Sequence, residues 1–375
     1  MTIVIAPDKF KGSLSADQVC KAISEGLHTL SSSWQLISIP LADGGEGTSE
    51  LLTTFSNGTY VKVKVKDPLF REIESGYGIS EDGKMAFIEM AKASGLQLLK
   101  PHERNPLHTS TFGTGQLIAD AMERGAIHIV LGIGGSATND AGIGMAAALG
   151  FSFLSANNEK LKPVGESLIH IHSIHSAHAH PLLDKVKFTL LCDVNNPLYG
   201  KHGASFVFGA QKGANDSIMK ILEDGLRHFE KMAEVVFKTQ VNFPGAGAAG
   251  GLGAGAKVFL KAEIRGGFKF ISRFTKLEDK IKLADVVITG EGKMDNQTLS
   301  GKVVSGVAKL AVLYQKTCIA FTGKCELSQA QWYALGIQKV ISLVNEQTPE
   351  PEAIKDAYAI LKQRTIETFV KGFNI

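Results

Sequence analysis

The feature that most constrains this chain is a pattern present at both of its ends and broken in the middle. The pattern is a short β-branched run, then a loop mixing glycine with Asp, Glu and Lys, then an amphipathic helix. At the start, Ile3-Val4-Ile5 leads into Asp8-Lys9-Phe10-Lys11-Gly12-Ser13. Ser15, with Gln18 three residues on, then forms a capping-box pair ahead of an apolar stripe at Val19, Ile23, Leu27 and Leu30. A second strand over Leu36–Ile39 opens the loop Asp43-Gly44-Gly45-Glu46-Gly47-Thr48, and a helix burying Leu51, Leu52 and Phe55 follows. From residue 285 the same order returns: a strand at Val286–Thr289, a glycine loop, and a helix carrying Val303, Val307 and Leu310. Strands at Cys318–Phe321 and Val340–Leu343 come next, then one final helix with Ile354, Tyr358, Leu361 and Phe369. Strands alternating with helices predict a parallel sheet covered on both faces.

Between the ends the order changes. Tyr60 to Lys66 alternates Val61, Val63 and Val65 with Lys62, Lys64 and Lys66, which predicts a strand with one wet face in a partly antiparallel sheet. Strands near Ile73–Ile79 and Met85–Met90 flank Glu81-Asp82-Gly83, a hairpin turn signal. A helix near Thr114–Arg124, a strand at Ile127–Leu131, a helix at Gly142–Leu149, a strand at Phe188–Cys192 and a long helix over Asp216–Phe237 follow. The expected fold class is therefore α/β with two α/β domains. One is a discontinuous parallel-sheet domain, residues 1–58 and 271–375; the other is an inserted mixed-sheet domain, residues 59–270. A length of 375 residues suits two domains.

Composition excludes several classes. Lys plus Arg number 40 and Asp plus Glu 37, a net charge of +3 with no basic tract, which argues against a nucleic-acid partner while leaving small anions open. Four cysteines (Cys20, Cys192, Cys318, Cys325) form no CxxC pair, so a reduced, cytoplasmic compartment is expected. No secretory leader is evident ahead of Pro7, and the longest apolar run, Ala141–Phe151, falls well short of the ~20 residues that cross a bilayer, so no membrane partner is expected. A homo-oligomer is compatible with the sequence, which does not decide it.

The polar loops after Ile5, Ile39, Thr289 and Phe321 all belong at the carboxyl edge of one parallel sheet, where open α/β sheets bind ligands. Asp8, Lys9, Lys11, Asp43, Glu46, Glu291, Lys293 and Lys324 are thus expected to converge on one crevice, and alternating lysines and carboxylates suit a phosphorylated ligand with a divalent cation. A second loop, Gly132-Ile133-Gly134-Gly135-Ser136-Ala137-Thr138-Asn139-Asp140, follows a strand and precedes a helix, so its glycines and the helix-start N–H groups are expected to cradle phosphate. Its first six residues fit G-x-G-x-x-A, but the acid that a dinucleotide site needs about 20 residues later is missing. Gly78–Lys84 has Walker A spacing yet ends in Met85, where a hydroxyl must hold magnesium, so a P-loop kinase is excluded. Gly245–Gly250 reads as a helix packed against backbone or as a ligand contact. Asp193, directly after a strand, reads as a metal ligand, a base or an Asx-turn before Pro197. His170, His172, His175, His178 and His180 lack zinc spacing and read as a surface loop. No G-x-S-x-G elbow is present.

Taken together the loops resemble a known family. Ala6-Pro7-Asp8-Lys9-Phe10-Lys11-Gly12-Ser13-Leu14-Ser15-Ala16 and Ala42–Thr48 are similar to the first two signatures of bacterial glycerate kinases. Gly132–Asp140, Cys192–Leu198, Phe208–Ala214, Pro244–Gly255 and Thr289–Lys302 (TGEGKMDNQTLSGK) resemble the others in the same order. Ala141 departs from the family's usual glycine, Ala210 and Val304 stand where proline is common, and Lys201-His202 replace the usual residues before Gly203. The resemblance implies ATP-dependent phosphorylation of D-glycerate with Mg2+, a flavodoxin-like domain formed by both chain ends, and an inserted restriction-endonuclease-like domain. Because the family includes 2-kinases, 2-phosphoglycerate is favoured over 3-phosphoglycerate.

On that reading the catalytic residues are Asp8, Lys9, Lys11, Asp193 and Asp295. Gly134, Gly135, Ser136, Thr138, Asn139, Asp140 and Ser13 bind the nucleotide phosphates. Asp43, Glu46, Glu291 and Lys293 bind substrate, with Lys324 and Arg265 as further partners for its carboxylate, and Asp43 and Asp193 hold the metal. Asp8 or Asp193 is the base that takes the hydroxyl proton. Two rival readings are an NAD-dependent hydroxy-acid dehydrogenase using the Gly132 loop and a non-catalytic sugar-acid sensor. Both terminal segments and the inserted middle are expected to contribute to one site.

Overall fold

A computed structural model describes residues 1–300 and 302–370; Gly301, within the run Thr289–Lys302, lies outside the described residues. The strands in chain order are β1 (Thr2–Ile5), β2 (Gln35–Ser38), β3 (Thr59–Lys66), β4 (Glu72–Ile79), β5 (Met85–Glu89), β6 (His128–Gly132), β7 (Ser152–Leu154), β8 (Ser173–His175), β9 (Lys187–Leu191), β10 (Glu263–Arg265), β11 (Val286–Met294), β12 (Thr317–Cys325) and β13 (Lys339–Ser342). The chain divides into two units: Met1–Asp43 with Phe268–Ile375, and Gly44–Gly267.

The first unit holds a five-stranded sheet in the order β13-β12-β11-β1-β2, parallel throughout. β1 is an interior strand between β11 and β2, with Ile3 registered on Val286 and on Leu36, and Ile3, Val4 and Ile5 lose all contact with solvent. Burial of each such side chain contributes about 1.5–3 kcal/mol, which is why a four-residue strand without a polar side chain after Thr2 takes an interior place. The helix Ala16–His28 begins at the expected capping box, in which Ser15 and Gln18 satisfy each other's backbone N–H groups. The helix Ala357–Val370 lies beside it, where Tyr358 and Lys362 donate to Glu25.

Two expectations are corrected here. β11 and β12 do not stop at Thr289 and Phe321. They continue side by side to Met294 and Cys325, with Glu291 opposite Thr322 and Lys293 opposite Lys324. Glycine alternating with polar residues reads as a loop, but small residues also suit two parallel strands whose ladder is held from outside. Asp8 donates its N–H to the Gly290 carbonyl at 2.8 Å, and Val344 donates to that of Gly323 at 2.9 Å. The final helix is also two helices, Glu350–Lys355 and Ala357–Val370, with Asp356 at the break.

The second unit contains a six-stranded sheet in the order β10-β9-β6-β5-β4-β3. β3, β4 and β5 pair antiparallel, and β5, β6, β9 and β10 pair parallel, so the sheet is mixed as the alternating Val and Lys residues of β3 required. Gly78 is the last residue but one of β4 and Gly83 turns the β4–β5 hairpin, so the Walker-like spacing is split across that hairpin. The long helix Asp216–Phe237 has the expected limits, with Asn215 capping it through Ile218 N. An aromatic cluster of Phe151, Phe153, Phe229 and Phe237 surrounds Phe259 in the helix Ala248–Leu260. The helix Thr48–Phe55 belongs to this unit: Thr53 Oγ1 sits where a Cβ on Gly78 of β4 would fall.

Candidate functional site

In the first unit, chemistry gathers at the carboxyl edge of the parallel sheet. Asp8 follows β1 and its carboxylate accepts the N–H of Lys9 at 2.7 Å. Burial, reinforced by the charge of Asp43, pushes the Asp8 carboxyl up to about 7. Glu291, on the extension of β11, is also pushed up to about 7 by burial and by the neighbouring Asp295 and Asp43, although Thr298 Oγ1 donates to it at 2.6 Å. Asp8, Asp43 and Glu291 therefore form one electrostatically coupled acidic group, which places three of the sequence candidates together. Asp295 instead organises the turn behind β11, accepting from Gln297 N at 2.8 Å while its own N–H donates to Thr298 Oγ1.

The lysines lie on the same edge. Lys11 and Ser13 line a cavity of about 270 Å3 together with Phe10, Lys293, Lys324 and Glu350. Ser13 closes the turn by donating from both N and Oγ to the Phe10 carbonyl, at 2.9 and 3.1 Å. Lys293 pairs with Glu326 at 3.0 Å and Lys324 with Glu350 at 3.2 Å, with Lys293 half exposed. Pairs this accessible contribute little to stability, so both ammonium groups can be drawn to an incoming anion.

In the second unit the loop after β6 is held rigidly. Gly134 and Gly135 are exposed, whereas Ser136, Thr138, Asn139 and Asp140 are buried. The expected helix-start N–H groups are not open to a ligand. The helix begins only at Ile143, and Asp140 accepts the N–H groups of Gly142 and Gly144 at 3.1 and 3.2 Å, together with Thr111 N and Thr111 Oγ1, each at 2.8 Å. Burial pushes the Asp140 carboxyl upward, and those four donors oppose the push. The exposed backbone of Gly134 and Gly135 and the Ser136 hydroxyl are thus what this loop offers to a phosphate.

The glycine-rich segment is a turn and a left-handed kink, Ala249–Gly251, at the start of the helix that runs on to Leu260, and the kink packs against that loop. Gly250 adopts φ +70°, and a Cβ there would lie 1.9 Å from the Thr138 carbonyl oxygen. The Ala141 N–H donates to Gly250 O at 3.0 Å, and Ala141 itself takes φ +50°, which accounts for a glycine preference at that position.

Around the same end of the mixed sheet, Gly45 passes so close that a Cβ on Gly134 would sit 3.1 Å from its Cα; Glu46, next in the chain, is exposed. Asp193 follows β9 and its Oδ1 accepts from Gly267 N at 2.9 Å. Arg265 ends β10 and pairs with Glu263. The five histidines from His170 to His180 lie along the surface loop around β8, and among the described residues no three His, Cys, Asp or Glu side chains close on a metal position.

Two residues escaped the sequence reading. Lys212 is 2% exposed and donates to Ser136 Oγ and the Thr138 carbonyl, each at 2.7 Å. Burial drives its pKa down to about 7, against the opposing pull of Asp140. Glu89, the last residue of β5, is buried and accepts Ser49 N at 2.7 Å at the start of the helix Thr48–Phe55. A lone lysine flanked by Gly209 and Gly213, and a lone acid ending the apolar run Met85–Met90, were the available signals.

A family model described as the glycerate kinase family matches residues 3–371. A "Glycerate kinase" of Bacillus cereus is 42% identical over 364 residues, covering 97% of this chain and 94% of that protein. A "Glycerate 2-kinase" of Escherichia coli is 42% identical over 359 residues, covering 96% and 94%. A crystal structure from Salmonella typhimurium LT2, named for a glycerate kinase 2, superposes with a TM-score of 0.89 at 38% identity and covers 99% of this chain and 98% of its own. Among the described residues no helix is long and apolar enough to cross a membrane.

Proposed function

We propose that this chain, a kinase that belongs to the glycerate kinase family, transfers the terminal phosphoryl group of ATP to D-glycerate with Mg2+, giving 2-phosphoglycerate. The observation that supports the chemistry best is the Asp8 carboxyl, lifted to about 7 by burial and Asp43 on a loop that also carries Lys9 and Lys11. A group with that pKa exchanges a proton near neutrality, as a general base must, so Asp8 rather than Asp193 is assigned to the glycerate hydroxyl. Phosphoryl transfer otherwise needs positioning and charge neutralisation. Lys9 and Lys11 supply positive charge to the transferred group, and Gly134, Gly135 and Ser136 hold the nucleotide phosphates. Thr138, Asn139 and Asp140 act by fixing that loop, and Asp295 by fixing the turn beside Glu291.

The donor set fits Mg2+. Mutually repelling carboxylates are hard oxygen ligands that a divalent cation would relieve, and Mg2+ takes one or two carboxylates plus substrate oxygens rather than a full protein cage. Asp43 and Asp193 would hold it, and bound there it would neutralise charge on the phosphate oxygens. Glu46, Glu291 and Lys293 are assigned to glycerate, with Ser13, Lys324 and Arg265 as polar neighbours for its carboxylate or the phosphate.

The test is ADP release measured with D-glycerate and Mg-ATP, followed by addition of an enolase, which consumes 2-phosphoglycerate but not 3-phosphoglycerate. Glycerate-dependent ADP release with enolase-reactive product is expected. Absence of ADP release removes the function, and an enolase-inert product moves the transfer to the 3-hydroxyl.

A further inference from the structure

Lys212 ends the short turn Ala210–Lys212 and is buried with its ammonium group against the loop after β6. Removing an ammonium ion from water costs several kcal/mol, so its partners show what that cost is spent on. The nearest carboxylate, Asp140, attracts it electrostatically, but the Asp140 oxygens are engaged by Thr111, Gly142 and Gly144. The hydrogen bonds of the ammonium go instead to Ser136 Oγ and the Thr138 carbonyl, each at 2.7 Å.

The direction of the first bond is informative. In its protonated form Lys212 can only donate, so Ser136 Oγ is then the acceptor, and its own proton is left to point elsewhere. Among the described residues that hydroxyl donates to no other group, and Ser136 keeps 8% of its surface in contact with solvent. A serine fixed in this way is an anion donor. It is poorly suited to bind a cation, because one of its two lone pairs accepts from an ammonium that also repels the cation.

We propose that Lys212 is a positioning residue that grips Ser136 and the Thr138 carbonyl, turning the Ser136 hydroxyl outward as a hydrogen-bond donor to a phosphate oxygen and not as a magnesium ligand. The inference rests on the reading that this loop takes the phosphates of ATP, and it adds which atom donates and what aims it. The loop is also held by the donors to Asp140, by Leu96 N on the Gly135 carbonyl, by Ala137 N on the Ser94 carbonyl, by Thr109 Oγ1 on the Ala137 carbonyl and by Asn139 on Ser205, and none of these bonds uses the Ser136 hydroxyl.

The test is steady-state kinetics of Lys212→Met, Lys212→Arg, Ser136→Ala and the Lys212→Met/Ser136→Ala double variant, with melting temperatures alongside. The expected result is a rise in KM for ATP of about tenfold or more in Lys212→Met and Ser136→Ala, with kcat and KM for D-glycerate within about threefold of the parent. Lys212→Arg should recover part of the loss, and the double variant should be no worse than Lys212→Met, because both changes break one interaction. Parent-like KM for ATP in a Lys212→Met enzyme that merely melts earlier overturns the proposal, as do fully additive losses in the double variant. If Lys212→Met does not fold, Ser136→Ala decides. A raised KM for ATP at an unchanged Mg2+ requirement supports the donor role, and a raised Mg2+ requirement at unchanged KM for ATP overturns it. If the coupled loss appears in KM for D-glycerate instead of ATP, the grip stands and the assignment of the loop to ATP is what fails.

Discussion

The two sheet edges treat buried charge in opposite ways. At the edge of the parallel sheet, Asp8 and Glu291 are withdrawn from water beside Asp43, and their carboxyls are lifted to about 7. In the loop after β6 of the mixed sheet, Asp140 is surrounded by four donors and Lys212 by two acceptors. The first arrangement gathers carboxyls that repel one another; the second gives each buried group hydrogen-bond partners that fix a backbone. A kinase needs both, because a proton has to leave the acceptor hydroxyl while a polyphosphate is held still.

The comparison breaks most severely at Asp8. Asp8→Asn removes the proposed base without changing shape, and kcat should fall about a thousandfold or more, ~4 kcal/mol of barrier, with the melting temperature held or raised. Near-parent turnover would take Asp8 out of the mechanism. Asp140→Ala should show the reverse signature: stability lost by about 3–4 kcal/mol, read from urea unfolding, because Thr111, Gly142 and Gly144 are left with buried donors. A variant that unfolds at parent urea concentrations would mean the loop is held by other contacts.

Lys212 offers a pH test of the locked region. Its folded pKa is lowered to about 7, so above that pH the unfolded chain binds the extra proton and stability rises between pH 7 and the unfolded lysine value near 10.4. The melting temperature of the parent should therefore gain on that of Lys212→Met by several degrees from pH 6 to pH 9. Parallel curves would place the ammonium in a more solvated setting. The smallest effect is expected at Ala141, held at φ +50°. Ala141→Gly relieves about 1 kcal/mol of backbone strain and loses a buried methyl of similar worth, so stability should stay within about 0.5 kcal/mol. A large shift either way would show that one of these terms dominates.

What was legible in the sequence were features whose cause is local. Ser15 and Gln18 cap their helix across three residues, Val61, Val63 and Val65 alternate along one strand, and the long helix over Asp216–Phe237 has the limits read from the sequence. The extension of β11 to Met294 was not legible, because Gly290 and Gly292 carry a loop signature and the partners that make them strand lie on β12 and after β1. The grouping of Asp8 with Asp43 and Glu291 followed from placing all three at one sheet edge. The depth of their burial did not, since it depends on the packed neighbours. Lys212 was missed for the same reason: a lysine between glycines looks solvated until the fold withdraws it.

The place of β1 inside the parallel sheet has a consequence for how the molecule is made. Ile3 lies between Leu36 and Val286, so β1 must wait for a neighbour encoded more than 280 residues later. At roughly 5–20 residues per second that delay is about 15–60 s. Throughout it an apolar ribbon is exposed while the intervening segment can already collapse. Nascent-chain quality control should therefore be most demanding at β1, and a circular permutation that encodes β1 and β2 after β11 should shorten the vulnerable interval without altering the finished sheet.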